Sequence, residues 1–327
     1  MSAHIGKGVL SAVGDTPLVQ LERLFPESPA RFHAKLEGMN PGGSMKDRAA
    51  MSMVVGAIES GRLVPGKSTV VESSSGNLGI GLVQVCRWFG LRFVCVVDPR
   101  TTTQNLAILE AYGAELEMVT EPDNELGDFL GARIRRARQL AEEIPGAFWP
   151  DQYANVLNAR AQEQLMREVA RDLDGRVDVL FVATGSCGTI HGCARYIAEH
   201  GMTTHVVAVD AVGSAIFGQP GCQRLVPGHG AARRPALHHD GMADSAELMT
   251  DQDCVIGCRR LVAAEAILGG GSSGAVVGAA ARRARELPEG ANCVLVLPDR
   301  GERYMDTIYS DAWVERHFGD IRHLWKG

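Results

Sequence analysis

The chain has 327 residues, 45% of them hydrophobic and 22% charged, with a formal net charge of -6. These are ordinary values for a soluble globular protein, and the length favours two lobes over one core. A mildly acidic chain with no basic run is a poor nucleic-acid binder, and no apolar stretch is long enough to span a bilayer.

Met1 to Gly14 lacks the basic start and apolar run of a signal peptide, so a cytoplasmic location is expected. Strands are predicted over Pro17–Leu21 and Phe32–Leu36. Next comes Asn40-Pro41-Gly42-Gly43-Ser44-Met45-Lys46-Asp47-Arg48. A Pro-Gly-Gly turn leads to a serine at a helix N-cap position, and a lysine opens a helix predicted over Asp47–Glu59. Lysine is unusual there, because the helix dipole favours anions at that end. The same field favours the neutral amine that a Schiff-base lysine requires. Taken alone, the motif also fits a solvated surface lysine.

A strand over Ser68–Glu72 runs into Glu72-Ser73-Ser74-Ser75-Gly76-Asn77-Leu78-Gly79 and a helix over Leu78–Trp88. Hydroxyls and backbone N–H groups converge at such a turn, which suits a carboxylate. A serine-capped tight turn is the plainer reading. Strands over Arg92–Val97 and Glu115–Val119 alternate with helices over Gln104–Tyr112 and Leu126–Glu143, and Glu121–Gly127 forms a polar break. A helix over Asn155–Arg171 follows, then an apolar strand over Val179–Ala183. That strand ends in Thr184-Gly185-Ser186-Cys187-Gly188-Thr189, before a helix over Thr189–His200. Small residues let the backbone approach a phosphate, and the helix dipole favours the dianion. The string lacks the lysine of a P-loop and the spacing of a dinucleotide fingerprint, so it suits a phosphate monoester.

Beyond a strand over His205–Asp210, the Leu225–Glu247 segment is rich in Gly, Pro, His and Arg with weak periodicity. It reads as a long ordered loop over a site or as a mobile lid. Its His229, His238 and His239 are expected to be ordinary polar loop residues rather than metal ligands. Helices are predicted over Cys258–Ile267 and Ala275–Glu286, the second entered through Gly269-Gly270-Gly271-Ser272-Ser273-Gly274. The last strand, Cys293–Leu297, runs into Pro298-Asp299-Arg300-Gly301-Glu302-Arg303-Tyr304. Strand–helix alternation with apolar strands argues for α/β layers around mostly parallel sheets. The eight cysteines sit mostly in apolar runs and read as reduced, buried thiols. Cys254 and Cys258 are four apart, but no paired ligand set follows, so no metal is expected.

Taken together and in this order, these strings resemble the cysteine synthase and cystathionine β-synthase family of fold-type II pyridoxal-phosphate enzymes. The resemblance runs from Val13-Gly14-Asp15-Thr16-Pro17-Leu18 to Tyr304. It implies a tryptophan synthase β-like α/β fold, with a large cofactor domain over 1–44 plus 151–327 and a smaller, mobile domain over 45–150. It implies pyridoxal 5'-phosphate bound covalently to Lys46, with Asn77 on the ring oxygen and Gly185, Ser186, Cys187, Gly188 and Thr189 around the phosphate. It also implies that Ser74, Ser75, Gly76 and Asn77, with Gln152, grip the substrate carboxylate. Where cysteine synthases have a serine after the late Leu-Pro, this chain has Asp299. The cystathionine β-synthases share that Asp and use the serine of a Gly-Gly-Ser string, which assigns the pyridine nitrogen to Ser272. A hydroxyl partner there suits β-elimination over transamination.

Leu78, where cysteine synthases commonly carry threonine, points to a narrower resemblance. The strings around Lys46, Asn77, Cys95–Pro99, Val209–Gly218 and Leu297–Tyr304 are similar to the branch that supplies 2,3-diaminopropionate for siderophores. That branch joins O-phospho-L-serine to the amine of L-glutamate, and a partner dehydrogenase works on the adduct. The resemblance further implies a homodimer. Arg233 and Arg234 are the favoured cations for the substrate carboxylates or phosphate, ahead of Arg48 and Arg100. The rival readings are a synthase using a thiol nucleophile and a non-catalytic binding module. Loss of the lysine or the phosphate loop would mark the second, and neither is lost.

Overall fold

The computed structural model describes residues 7–122, 129–219 and 224–325. Cys222 and most of the Glu121–Gly127 break lie outside them. The chain divides into two compact units, Met1–Gly14 with Asn40–Ala161 and Asp15–Met39 with Gln162–Gly327. Residues 7–14, 40–44 and 151–161 thus group with the smaller unit.

The first unit is built on a three-stranded parallel sheet of β3 (Thr69–Ser73), β4 (Arg92–Val97) and β5 (Glu115–Met118). Side chains alternate across it with the period of a strand. Val70, Phe93, Cys95 and Val97 join one core with α1 (Lys46–Glu59) and α2 (Asn77–Trp88). Val71, Val94 and Val96 join another with Ala137 and Leu140 of α4 (Phe129–Glu143). The middle strand, β4, is covered on both faces, which is why it is a continuous apolar run from Phe93 to Val97. α3 (Thr103–Tyr112) packs beside α2, its amino end capped by Thr102.

The second unit holds a six-stranded sheet in the order β1-β2-β9-β6-β7-β8. Its strands are β1 (Leu18–Leu21), β2 (Arg31–Leu36), β6 (Val179–Ala183), β7 (His205–Ala211), β8 (Ser245–Met249) and β9 (Asn292–Leu297). Only the β1–β2 pair is antiparallel. α6 (Gly188–Glu199) lies against β6 and β7, whereas α8 (Gly271–Arg283) packs along the sheet with α7 (Asp251–Glu265) against it. α5 (Val156–Asp172) contributes a buried ion pair: Lys35 Nζ of β2 meets Glu168 Oε2 at 2.7 Å.

Three elements depart from the expected boundaries. α7 starts seven residues before Cys258, at a capping box in which Thr250 and Asp253 satisfy each other's backbone N–H groups. α8 begins at Gly271, four residues before the expected Ala275, so the glycine string is both the entry, with Gly270 as N-cap, and the first turn of the helix. Tertiary packing overrides helix propensity here. A Cβ on Gly257 would lie 2.0 Å from the Gly274 carbonyl oxygen, and one on Gly274 would lie 2.0 Å from that of Cys254. Only glycine lets α7 and α8 approach this closely. The end of the expected Leu225–Glu247 loop is the start of β8, paired with β7 from Val207↔Ser245. That strand is short and half-exposed, which hides its periodicity. A final helix, α9 (Asp311–Phe318), had no counterpart in the sequence reading.

Candidate active site

Lys46 is the first residue of α1, and its N–H donates to Ser44 Oγ at 3.2 Å. The turn before it is closed by Asp47, whose carboxylate accepts from Gly42 N–H. Gly81, one turn into α2, brings that helix against the same point. A Cβ there would lie 3.2 Å from the Lys46 carbonyl oxygen and 3.0 Å from Ala50 Cβ. The fold thereby joins the lysine turn to the helix that Asn77 opens.

The loop between β3 and α2 is held from within. Ser74 Oγ accepts from Gly79 N–H at 2.9 Å and Gly76 N–H at 3.4 Å. Both are incoming donors, so the Ser74 hydroxyl proton is directed elsewhere and suits an anionic guest. Asn105 Nδ2 of α3 donates to the Ser75 carbonyl at 3.0 Å. Apart from its chain neighbours Ser75 and Asn77, no described residue places an atom within 4 Å of where a Gly76 Cβ would be. Gln152 is buried, its N–H donating to Glu72 and its carbonyl accepting from Asn158 Nδ2 at 2.8 Å.

Glu72 and Asn105 carried no role in the sequence reading, although Glu72 stands in the motif. Glu72 ends its strand as a fully buried carboxylate surrounded by N–H donors. They are Ser73 N at 2.8 Å, Trp149 Nε1 at 3.1 Å and Gln152 N at 3.3 Å. Burial pushes its pKa up to about 7, with nearby Asp151 adding to the rise and the N–H donors opposing it. A strand-end acid inside an otherwise apolar run was the available signal.

In the second unit, β6 ends at Ala183 and the chain turns through Thr184, Gly185, Ser186 and Cys187 into α6. Cys187 is left-handed, with φ 64°, and its side chain caps nothing. Backbone N–H groups turned together in this way form an anion cradle at the positive end of the helix. Ser186 and Thr189 are buried beside it. Apart from its chain neighbours, the one described atom within 4 Å of where a Gly185 Cβ would be is the Gly228 carbonyl oxygen, at 3.8 Å. A turn of this kind at a helix amino end suits an anion such as a phosphate monoester.

Ser272 lies buried in the first turn of α8. Gly228 faces it: with φ 105°, a Cβ there would stand 3.4 Å from Ser272 Oγ. Asp299, just after β9, abuts Gly270 at the entry of the same helix and accepts the Tyr304 hydroxyl at 2.6 Å on Oδ2. Burial and the Asp299 charge push the Tyr304 pKa well up, so the phenol remains a donor. Tyr304, like Glu72, stands in a motif that by itself assigns it no role.

Much of the Leu225–Glu247 segment is anchored. Gly230 N–H donates to the Thr184 carbonyl at 2.6 Å, and Val226, Leu237 and Met242 are buried. His229 is not the polar loop residue expected. It is buried, with Nε2 3.6 Å from Cys254 Sγ, and burial lowers its pKa to about 4. Arg233 and Arg234 are exposed, and Arg234 Nε donates to the Ile216 carbonyl at 3.2 Å. The described thiols are all unbridged and buried. Burial pushes Cys95, Cys258 and Cys293 to about 12. No group of three or more potential metal-binding side chains occurs among the described residues. No described helix is long and apolar enough to cross a membrane.

The family model described as pyridoxal-phosphate dependent enzyme matches residues 9–299. The chain belongs to this family. The enzyme is 44% identical over 313 residues to N-(2-amino-2-carboxyethyl)-L-glutamate synthase of Ralstonia nicotianae, covering 95% of this chain and 92% of the relative. It is also 44% identical to the synthase of that name from Cupriavidus metallidurans, over 94% of this chain and 91% of that one. Among solved structures, cysteine synthase from Entamoeba histolytica matches with a TM-score of 0.87 at 32% identity, covering 94% and 92% of the two chains. O-ureido-L-serine synthase matches with a TM-score of 0.87 at 31% identity, covering 95% and 99%. The enzyme has the fold-type II α/β architecture and uses pyridoxal phosphate.

Proposed function

We propose that the enzyme joins O-phospho-L-serine to the amine of L-glutamate, giving N-(2-amino-2-carboxyethyl)-L-glutamate and phosphate. The observation that carries this reading is the 44% identity along nearly the whole chain to two synthases of that name. The Cβ–O bond to phosphate breaks, a Cβ–N bond to glutamate forms, and the glutamate nitrogen gives up a proton.

Bound pyridoxal phosphate supplies an electron sink that makes the substrate Cα–H acidic and lets a Cβ substituent depart. The protein's own residues do the rest. Lys46 holds the cofactor and, once its amine is released, takes the Cα proton and later returns it. Asn77 would hold the cofactor ring, Ser272 its nitrogen, and Gly185, Ser186, Cys187, Gly188 and Thr189 its phosphate. Ser74, Ser75, Gly76, Asn77 and Gln152 hold the substrate carboxylate. Exposed Arg233 and Arg234 recruit the anionic groups of the substrates. In this reading the enzyme is a cytoplasmic homodimer. A dehydrogenase then releases 2,3-diaminopropionate from its product for siderophore assembly.

The purified enzyme is mixed with O-phospho-L-serine, and the cofactor spectrum is followed before L-glutamate or sulfide is added in parallel cuvettes. The reading expects a new absorbance band that glutamate discharges, with phosphate release and the adduct's mass. A band discharged only by sulfide would move the enzyme to cysteine synthesis.

A further inference from the structure

The end of β3 and the Trp149–Gln152 segment meet on a single side chain. Glu72 accepts from Ser73 N–H, the Trp149 indole N–H and Gln152 N–H, so both segments close on one carboxylate. Each segment is constrained in its own right. Asp151 is held in the left-handed region at φ 49°, which is costly for a residue with a Cβ. Trp149 carries the Arg138 guanidinium 5.2 Å over its ring. The Ser75 end of the loop is tied to Asn105.

We propose that Glu72 is a positioning residue: beyond the backbone pairing of Phe148 with Thr69 and Val71, its carboxylate ties the end of β3, where the substrate-carboxylate loop begins, to the Trp149–Gln152 segment, and that tie loosens when it takes up a proton. This rests on reading Ser74, Ser75, Gly76, Asn77 and Gln152 as the groups that hold the substrate carboxylate. All three partners of Glu72 are donors, which an ionised carboxylate satisfies. A protonated carboxyl would set its own O–H among N–H groups, and one tie would be lost. A buried, multiply hydrogen-bonded acid is costly to leave half-satisfied.

The other titratable and charged groups around Glu72 are few. Asp151 precedes Gln152 on the pinned segment and opposes ionisation of Glu72. Cys95, its register partner on β4, is a neutral buried thiol. Arg133 of α4 is paired with Asp98 at 3.0 Å, and Arg138 of the same helix is stacked on Trp149. Burial dominates the balance and sets titration near neutral pH, where a modest change in surroundings alters occupancy.

The test uses the cofactor-loaded enzyme as wild type, Glu72→Gln and Trp149→Phe. The dissociation constant for O-phospho-L-serine is read from the cofactor absorbance between about pH 6 and about pH 8.5, a window that brackets the Glu72 titration. Titrations shared by all three proteins, those of the substrate included, cancel in the ratios between them. The wild-type advantage over Glu72→Gln should grow about tenfold as pH rises through the Glu72 titration. Trp149→Phe keeps the ring but deletes one donor to the carboxylate, so its midpoint should move up by roughly half a unit to one unit. Without substrate, the tryptophan emission that Trp149→Phe removes should step at the same pH in the wild type and not in Glu72→Gln. A pH-independent ratio between wild type and Glu72→Gln overturns the proposal. If Glu72→Gln does not fold, an unmoved Trp149→Phe midpoint overturns it alone. An enzyme that binds O-phospho-L-serine with this profile but ignores glutamate sinks the proposed reaction and leaves Glu72 in its role.

Discussion

Lys46 and Lys35 are lysines with opposite lives. Lys46 opens α1, and its replacement is a chemical loss. Lys46→Ala should remove the covalently held cofactor absorbance and lower turnover by about 10³-fold or more, with the circular dichroism spectrum unchanged. Lys35 is fully buried, its ammonium shared between Glu168 and the Thr16 carbonyl. Lys35→Met should leave Glu168 as an uncompensated buried charge and cost about 3–5 kcal/mol in urea unfolding. Normal stability in that variant would show that Glu168 finds another partner. Lys46 was legible because it sits in a turn motif. Lys35 was not, because a lysine in an apolar strand declares its partner only when α5 packs against it.

α7 and α8 show how an element can be misread when glycine is taken as punctuation. Their backbones touch at Gly257 and Gly274, and Ser272 rides in the first turn of α8. Gly274→Ala would improve the intrinsic helix propensity by about 1 kcal/mol. It would also drive a methyl into the Cys254 carbonyl, whose oxygen stands 2.0 Å from the Cβ position. The helices must separate, so a net loss of about 3 kcal/mol or more is expected by thermal unfolding, along with weaker cofactor binding through a displaced Ser272. A stabilised Gly274→Ala would mean that the close approach relaxes at little cost. β4 and β6 were legible because strands covered on both faces are apolar almost throughout. β8 escaped notice because a short, half-exposed edge strand has no such run.

Across the whole molecule, two buried groups set opposing pH trends. His229 is neutral in the fold, with its pKa lowered from 6.5 to about 4. Its contribution is complete above about pH 6.5 and is lost as pH falls toward about 4, amounting to about 3 kcal/mol. His229→Gln should flatten the acid side of a stability-versus-pH curve. An unchanged acid limb would mean that the imidazole finds water or a counter-charge before it protonates. Glu72 runs the other way. Its pKa is raised from 4.5 to about 7 because burial outweighs the N–H bonds that the ionised form accepts, so the fold loses stability as pH rises from about 4.5 through about 7, although the ionised form is the one that satisfies all three donors.

The α/β layering, the cofactor family and the three turns at Lys46, Asn77 and Gly185–Thr189 were legible in the residue string. Those features are local: an apolar strand, a glycine-bearing turn and a helix entry are contiguous in the chain, and their chemistry depends on backbone N–H groups that any such turn presents. Only the tertiary structure decided what stands behind the turns. Glu72 meets Trp149 and Gln152 about eighty residues away. Asp299 takes the Tyr304 hydroxyl at the entry of α8, and His229 is buried against Cys254. These contacts are made by side chains that are common in sequence and ambiguous alone. Burial and partner geometry, which exist only once the chain has packed, give them their charge state and their work.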